Sequence, residues 1–198
     1  AFGEPDTDAN AWNHRRDLVI RVVQDASPDL LGTQETMVLQ WQALDEALTG
    51  YARVGDTRTG SILDEACPIW YRRDRFELRD SGTFQLSDTP DEPGSLFQDA
   101  DQKYPRIVTW VRLRDRAGGG EVAAFNTHWG YEQVDDIQPR SAVLTLQKMA
   151  ELAPGVPAVL SGDFNCGPGQ AGWEILVGNQ SYREVSGDLV DPWVELEL

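Results

Sequence analysis

The chain has 198 residues and a formal net charge of −16, from 17 Lys and Arg against 33 Asp and Glu. That length suits one domain with a substantial core, the seven Trp, six Phe and five Tyr argue against disorder, and no apolar run is long enough to span a membrane. The acidic balance disfavours a grip on long stretches of nucleic-acid backbone, while a local basic patch stays open.

Smaller features add little about function. Cys67 and Cys166 are the only cysteines, too few for a disulfide framework. Cys67 reads as a packing residue in an apolar run, and Cys166 is given no role. The basic residues are nearly all Arg, with Lys only at Lys103 and Lys148, and Asp outnumbers Glu. A salt-adapted or GC-rich source is one hypothesis for that bias, and retained folding without salt would count against the first version. Asn179-Gln180-Ser181 fits a glycosylation sequon. No leader peptide is visible, so localisation stays open between cytoplasmic and secreted.

The elements follow in chain order. Asn13 to Ala26 carries Leu18, Val22 and Ala26 on one stripe with Val19 and Val23 beside it, which predicts a helix ended by Pro28. Asp29 to Thr33 predicts a short strand with Gln34 and Glu35 at its end. Val38 to Leu48 predicts a second helix, closed by Gly50. Tyr51 to Val54 and Pro68 to Tyr71 read as strands, and Phe76 to Leu78 with Thr83 to Leu86 as a hairpin pair. Ser87 to Tyr104 is a Pro- and Asp-rich loop, long enough to suggest a functional role. Ile107 to Leu113 and Val122 to Thr127 predict strands joined by a Gly118-Gly119-Gly120 turn. Pro139 to Leu152 predicts a third helix, with Pro139 in its first turn, and Trp173 to Val177 begins a fourth. Neither a linker nor a repeat divides the chain, which predicts a single domain over residues 1–198.

The segment Val156 to Asn165, V-P-A-V-L-S-G-D-F-N, carries the strongest functional signal. Ala158, Val159 and Leu160 predict a buried strand, broken by Gly162 and followed by Asp163 and Asn165. Period-two alternation sends those two side chains to one side of the strand's C-terminal end, where ligands of α/β proteins usually bind. A carboxylate beside a carboxamide offers hard oxygen ligands and a hydrogen-bond donor, a set that suits Mg²⁺ and a phosphate. The same residues also fit a strand closed by an Asx turn, and both readings stay open. Two further strands end in polar groups: Gln34-Glu35 after D-L-L-G-T, and Asn126-Thr127-His128 after V-A-A-F. Each alone is ordinary. Together they form a constellation of metal ligands and phosphate donors.

With P-D-L-L-G-T-Q-E (Pro28 to Glu35), N-T-H (Asn126 to His128) and S-G-D-F-N (Ser161 to Asn165) in that order, the chain resembles the endonuclease/exonuclease/phosphatase superfamily of metal-dependent phosphoesterases. The segments A-W-N-H-R-R, P-I-W-Y-R-R-D-R-F-E-L, S-G-T-F-Q-L-S-D-T-P and P-R-I-V-T-W resemble a bacterial and archaeal branch of it. The resemblance runs from about Ala11 to Val177. It implies an α/β fold of four layers, a DNase I-like sandwich of two mixed sheets face to face with helices outside. It also implies roles. Glu35 would ligate Mg²⁺ or Mn²⁺. Asp163 would orient or deprotonate the attacking water, or touch the metal. Asn165 and His128 would donate to phosphate oxygens. Asn126 and Arg106 would serve substrate binding, Asn126 as a supporting group and Arg106 either facing the phosphate or holding structure. The implied partner is a phosphoester, with nucleic acid, nucleotide, lipid and sugar phosphate unresolved. The Ser87 to Tyr104 loop, Trp129 and Tyr131 are expected either to shape the pocket or to pack.

The resemblance also implies segments not seen in this sequence: a first strand bearing an Asn, and terminal strands bearing an Asp and then Ser-Asp-His. The branch further tends to carry a polar residue near Gly130, where Trp129-Gly130-Tyr131 stands. Three expectations follow: a fragment of a larger active enzyme, a chain completed by a homo-oligomer or strand exchange, or a non-catalytic relative acting as a binding module. The long sheet edges that a missing central strand would leave favour the first.

Overall fold

Alternation and helical spacing settle into elements close to those expected. The computed structural model describes residues 11–131 and 136–196. Helix α1 (Trp12–Ala26) leads through strand β1 (Leu30–Gly32) to helix α2 (Val38–Ala47) and strands β2 (Tyr51–Val54) and β3 (Ile69–Arg72). Strands β4 (Phe76–Gln85), β5 (Ile107–Asp115) and β6 (Glu121–His128) precede helix α3 (Ile137–Leu152), strand β7 (Ala158–Asp163), helix α4 (Ala171–Leu176) and helix α5 (Pro192–Glu195). Ahead of Pro28, helix α1 stops with Ser27 in the left-handed region. Helix α3 begins two residues earlier than the sequence suggests, so Pro139 sits where no N–H is needed. Helix α5 is short and escaped the sequence reading; Asp191 caps it through Trp193 N–H, with Pro192 in its first turn.

The strands form two sheets. One has the order β1-β3-β2 and is antiparallel; the other has the order β4-β5-β6-β7, with β6 and β7 parallel. Three layers of apolar contact join them. Leu30, Ile69, Tyr71, Val111, Leu113 and Ala124 fill the space between the sheets. Trp41 and Leu44 of α2, with Ile20 and Val23 of α1, cover Trp70 on the outside of the first sheet. Ala142, Val143 and Met149 of α3 and Ile175 of α4 cover Val108, Trp110 and Phe125 on the outside of the second. The result is the expected four-layer sandwich, with helices outside both sheets. Among the described residues no helix is long and apolar enough to cross a membrane.

Two local expectations are corrected. Phe76–Leu78 and Thr83–Leu86 are not the arms of a hairpin. All but Leu86 belong to the single strand β4, which pairs with β5 from Phe76 to Gln85 and shifts register between Leu78 and Asp80. The polar residues from Arg79 to Gly82 mimic a turn in sequence, but the nine-residue strand β5 pairs with Asp80, Ser81 and Gly82 and leaves Arg79 at the register shift. The run Ala158-Val159-Leu160 is a strand, but not a buried one. β7 is the outer strand of its sheet, and Val159 is 54% exposed.

Candidate active site

The expected strand ends converge. The register of β6 on β7 sets His128 beside Asp163, at the C-terminal end of both strands. Gly162 makes this approach feasible: its φ is +151°, and any Cβ there would collide with the Thr127 carbonyl. Glu35, one turn beyond β1, lies on the other side of the imidazole in a left-handed conformation with φ 52°. Its Oε1 is 3.9 Å from His128 Nδ1, and Asp163 Oδ2 is 3.8 Å from His128 Nε2. Both carboxylates face water, with side chains 67% and 53% exposed, whereas His128 is 6% exposed.

Arg106, just ahead of β5, decides the state of the histidine. Its Nη1 is 3.1 Å from His128 Nδ1. A guanidinium can only donate, so Nδ1 is the acceptor and a neutral imidazole carries its proton on Nε2. Burial, and next the Arg106 charge, lower the His128 pKa from 6.5, against the opposing pull of Asp163 and Glu35. At neutral pH the ring is therefore neutral, and its Nε2–H is a donor on the Asp163 side.

Asp163 reconciles the two readings of its segment. Its Oδ1 accepts from Asn165 N–H at 2.9 Å, which is the Asx turn, while Oδ2 is on the histidine side. Simple alternation does not carry through to Asn165, whose φ is 50°. Its side chain is fixed instead by donation from Nδ2 to the Trp129 carbonyl at 2.9 Å, and its carbonyl accepts from Gln138. Asn165 still lines the pocket.

Asn126 is placed behind the pocket, fully buried and absent from its lining. Its Nδ2 donates to the carbonyls of Thr33 and Pro68 at 2.8 and 3.1 Å, and its Oδ1 accepts from Gln34 at 2.7 Å. Those contacts tie β6 to the ends of both neighbouring strands of the first sheet. Gly32 leaves the room, since a Cβ there would meet Asn126 Oδ1 at 2.7 Å.

The pocket encloses about 450 Å³ and is lined by Glu35, Arg106, His128, Asp163 and Asn165, together with Arg58, Glu65, Tyr104 and Tyr131. Arg58 and Glu65 come from the β2–β3 loop and were missed in the sequence. Arg58 is held by Asp64 at 2.7 Å and Glu65 at 2.8 Å, and it stacks over Tyr104 at 5.3 Å. Only its neighbours in space, not in sequence, mark it. Of the aromatic residues with two open readings, Tyr104 and Tyr131 line the pocket and are exposed, whereas Trp129 is buried edge-on against Phe164. Elsewhere the Ser87 to Tyr104 loop is anchored at points: Ser87, Phe97 and Gln102 are buried, Asp88 pairs with Arg140 at 2.8 Å, and Arg140 lies over Phe97. Cys67 is buried, with its thiol pushed up to about 12 by burial; Cys166 is half-buried and pushed up to about 11, also by burial. Neither is a nucleophile at neutral pH.

A divalent ion fits this donor set in one way only. Among the described residues no three His, Cys, Asp or Glu side chains form a cage. Glu35 and Asp163 are accessible hard carboxylates of the kind that hold Mg²⁺ or Mn²⁺ singly, with waters and substrate oxygens completing the shell.

Comparison with known proteins places the chain in a family and a fold. The model of the Endonuclease/Exonuclease/phosphatase family matches residues 2–175. The chain is 33% identical to the crystal structure of an endonuclease/exonuclease/phosphatase from Bacteroides vulgatus, with a TM-score of 0.83 over 88% of this chain and 66% of that one. It is 34% identical to a mannosyl-6-phosphatase of Bacteroides thetaiotaomicron, with a TM-score of 0.76 over 83% of this chain and 61% of that one. A protein of Acanthamoeba polyphaga mimivirus is 26% identical over 78% of this chain and 59% of its own length. The chain thus spans less than two thirds of each of these relatives.

Proposed function

The chain belongs to the Endonuclease/Exonuclease/phosphatase family, and we propose that its pocket hydrolyses phosphoesters with Mg²⁺ or Mn²⁺ bound at Glu35. The observation that carries this reading is the histidine held neutral between two exposed carboxylates. Arg106 fixes Nδ1 as an acceptor, so Nε2–H is a donor toward the pocket. A bound phosphate needs such donors where negative charge builds in the transition state.

The roles then follow from what each atom has left to do. Asp163 Oδ1 is occupied by its turn, so Oδ2 orients the attacking water and takes its proton. The water oxygen bonds to phosphorus as the ester oxygen leaves in line, and that oxygen takes up a proton from solvent. His128 Nε2–H and the second amide proton of Asn165 donate to the non-bridging oxygens. Arg106 positions His128 and adds positive charge behind it. Asn126 positions β1 and β6 rather than touching substrate. When bound, the metal supplies Lewis-acid stabilisation of phosphoryl charge.

The pocket volume of about 450 Å³, with Tyr104 and Tyr131 at its open side, suits a small phosphoester. A sugar phosphate is the first substrate to try, since a relative with 34% identity is a mannosyl-6-phosphatase. The test is turnover of 4-nitrophenyl phosphate and mannose 6-phosphate with Mg²⁺, Mn²⁺ or EDTA, on this chain and on Asp163→Ala and Glu35→Ala. Metal-dependent turnover lost in both variants supports the proposal. A folded protein that binds phosphate but turns over neither substrate overturns it, in favour of a binding module.

A further inference from the structure

One wall of the pocket beside His128 has no part in the roles assigned so far. Arg58, Glu65 and Tyr104 line it, and the fold holds them in place. Arg58 N–H donates to the Glu65 carbonyl at 2.9 Å, and the Arg58 carbonyl accepts from Gly94 N–H at 2.9 Å. The guanidinium donates from Nε to Asp64 Oδ1 at 2.7 Å and from Nη1 to Glu65 Oε2 at 2.8 Å, and it lies 5.3 Å from the centre of the Tyr104 ring. These contacts leave Arg58 Nη2 and Glu65 Oε1 without hydrogen-bond partners among the described residues. A donor and an acceptor thus stand together at the wall, beside an aromatic ring that is 46% exposed. The two carboxylates of Asp64 and Glu65 outnumber the one guanidinium between them, so the wall is net negative.

The wall also lies on a definite side of the chemistry. A narrow crevice joins Glu35, Arg58, Glu65, Arg106 and His128 but not Asp163 or Asn165, so Arg58 and Glu65 lie toward the Glu35 side of the imidazole. In an in-line displacement the attacking and leaving oxygens stand on opposite sides of phosphorus. With water held at Asp163, the ester group departs away from Asp163, toward that wall. Resting on the phosphoester reading, we propose that Arg58, Glu65 and Tyr104 form a leaving-group subsite that takes a neutral, hydroxylated ring. Hydroxyls both donate and accept, so they answer Glu65 Oε1 and Arg58 Nη2 together, and the Tyr104 ring offers an apolar surface to the C–H face. The net negative charge rejects a leaving group with a phosphate or carboxylate of its own, because like charges set close together are costly. Monoesters of sugars and cyclitols therefore rank above bisphosphates and polynucleotides.

The test is titration calorimetry of the chain with Mg²⁺ present, at about 0.15 M salt, with three phosphonates that cannot be hydrolysed. The first is methylphosphonate, the head alone. The second and third are the phosphonate isostere of mannose 6-phosphate as its methyl glycoside and as its carboxymethyl glycoside, which differ by one carboxylate. The methyl glycoside is expected to bind at least about tenfold more tightly than either of the other two. Tyr104→Ala is expected to bring it down to the level of methylphosphonate, and Glu65→Gln to erase most of the difference between the two glycosides, both with the wild-type circular dichroism spectrum. Methylphosphonate is the internal reference, since a merely structural role would lower all three affinities together. Equal binding of methylphosphonate and the methyl glycoside, a carboxymethyl glycoside bound as tightly as the methyl one, or variants that lower all three alike would each overturn the inference and leave the phosphoester reading standing. Failure of all three ligands to bind would remove that reading and the inference with it.

Discussion

Strands β6 and β7 lie side by side and end in adjacent members of one site, yet they are built differently. β6 is flanked on both sides, and every residue from Ala123 to His128 is buried. Among the described residues β7 has a partner on one side only, and Ala158 and Val159 are exposed. Their sequences look alike, each an apolar run that ends in polar residues. The difference teaches that local composition makes the strand, whereas sheet order decides its burial. It also divides the chemistry. The proposed phosphate donor, His128, comes from the buried strand, and the proposed base, Asp163, from the more exposed one.

The largest effect should separate the two strands directly. Phe125→Ala in β6 is expected to cost about 3–5 kcal/mol, and Val159→Ala in β7 no more than about 0.5 kcal/mol. Urea denaturation measures both, and comparable losses would break the comparison. Gly162→Ala is the exception that β7 should show. The backbone there approaches Thr127 too closely for a side chain, so a loss of about 3 kcal/mol is expected despite the strand's exposure. A loss under about 1 kcal/mol would mean that the two strands can move apart freely. Asn126→Ala follows, at about 2 kcal/mol, because the carbonyls of Thr33 and Pro68 and the amide of Gln34 lose their buried partner. Turnover should fall with it, as the ends of β1 and β6 lose their tie. Unchanged stability would remove the positioning role.

The smallest effect concerns the cover on β6. Asp88 ties the 87–104 loop to α3, which packs over Phe125. Its pKa lies below 3.8: burial raises it, but the Gln98 N–H and Arg140 together outweigh that. Because the folded value is depressed, this carboxylate contributes its full stability above 3.8 and loses it as pH falls through the folded value. Urea melts across that acid range should show a shallower loss for Asp88→Asn than for the wild type. Identical pH dependence would show that the tie contributes nothing.

Much of this was legible from residues alone, for identifiable reasons. Glu35, His128 and Asp163 were visible because each ends an apolar run, and strand ends on one edge of a sandwich must meet. Asn126 was visible as a site residue, but its burial was not, since the same motif would serve a residue facing substrate. Arg58 and Glu65 were invisible: they sit in an aperiodic loop, and only the fold brings them beside Tyr104. The β4 reading failed because Arg79 to Gly82 has turn composition, and the partner that holds it extended lies some thirty residues further along.

The central claim is that Arg106 holds His128 as a neutral Nε2–H donor facing a phosphate. A long-range ¹H–¹⁵N NMR spectrum of the imidazoles at neutral pH tests it most directly. The chain has only two histidines, and a His14→Gln variant leaves His128 to be read alone. The predicted spectrum shows Nδ1 unprotonated and Nε2 protonated, with that pattern lost in Arg106→Met. A proton on Nδ1, or a ring charged at neutral pH, would contradict the claim.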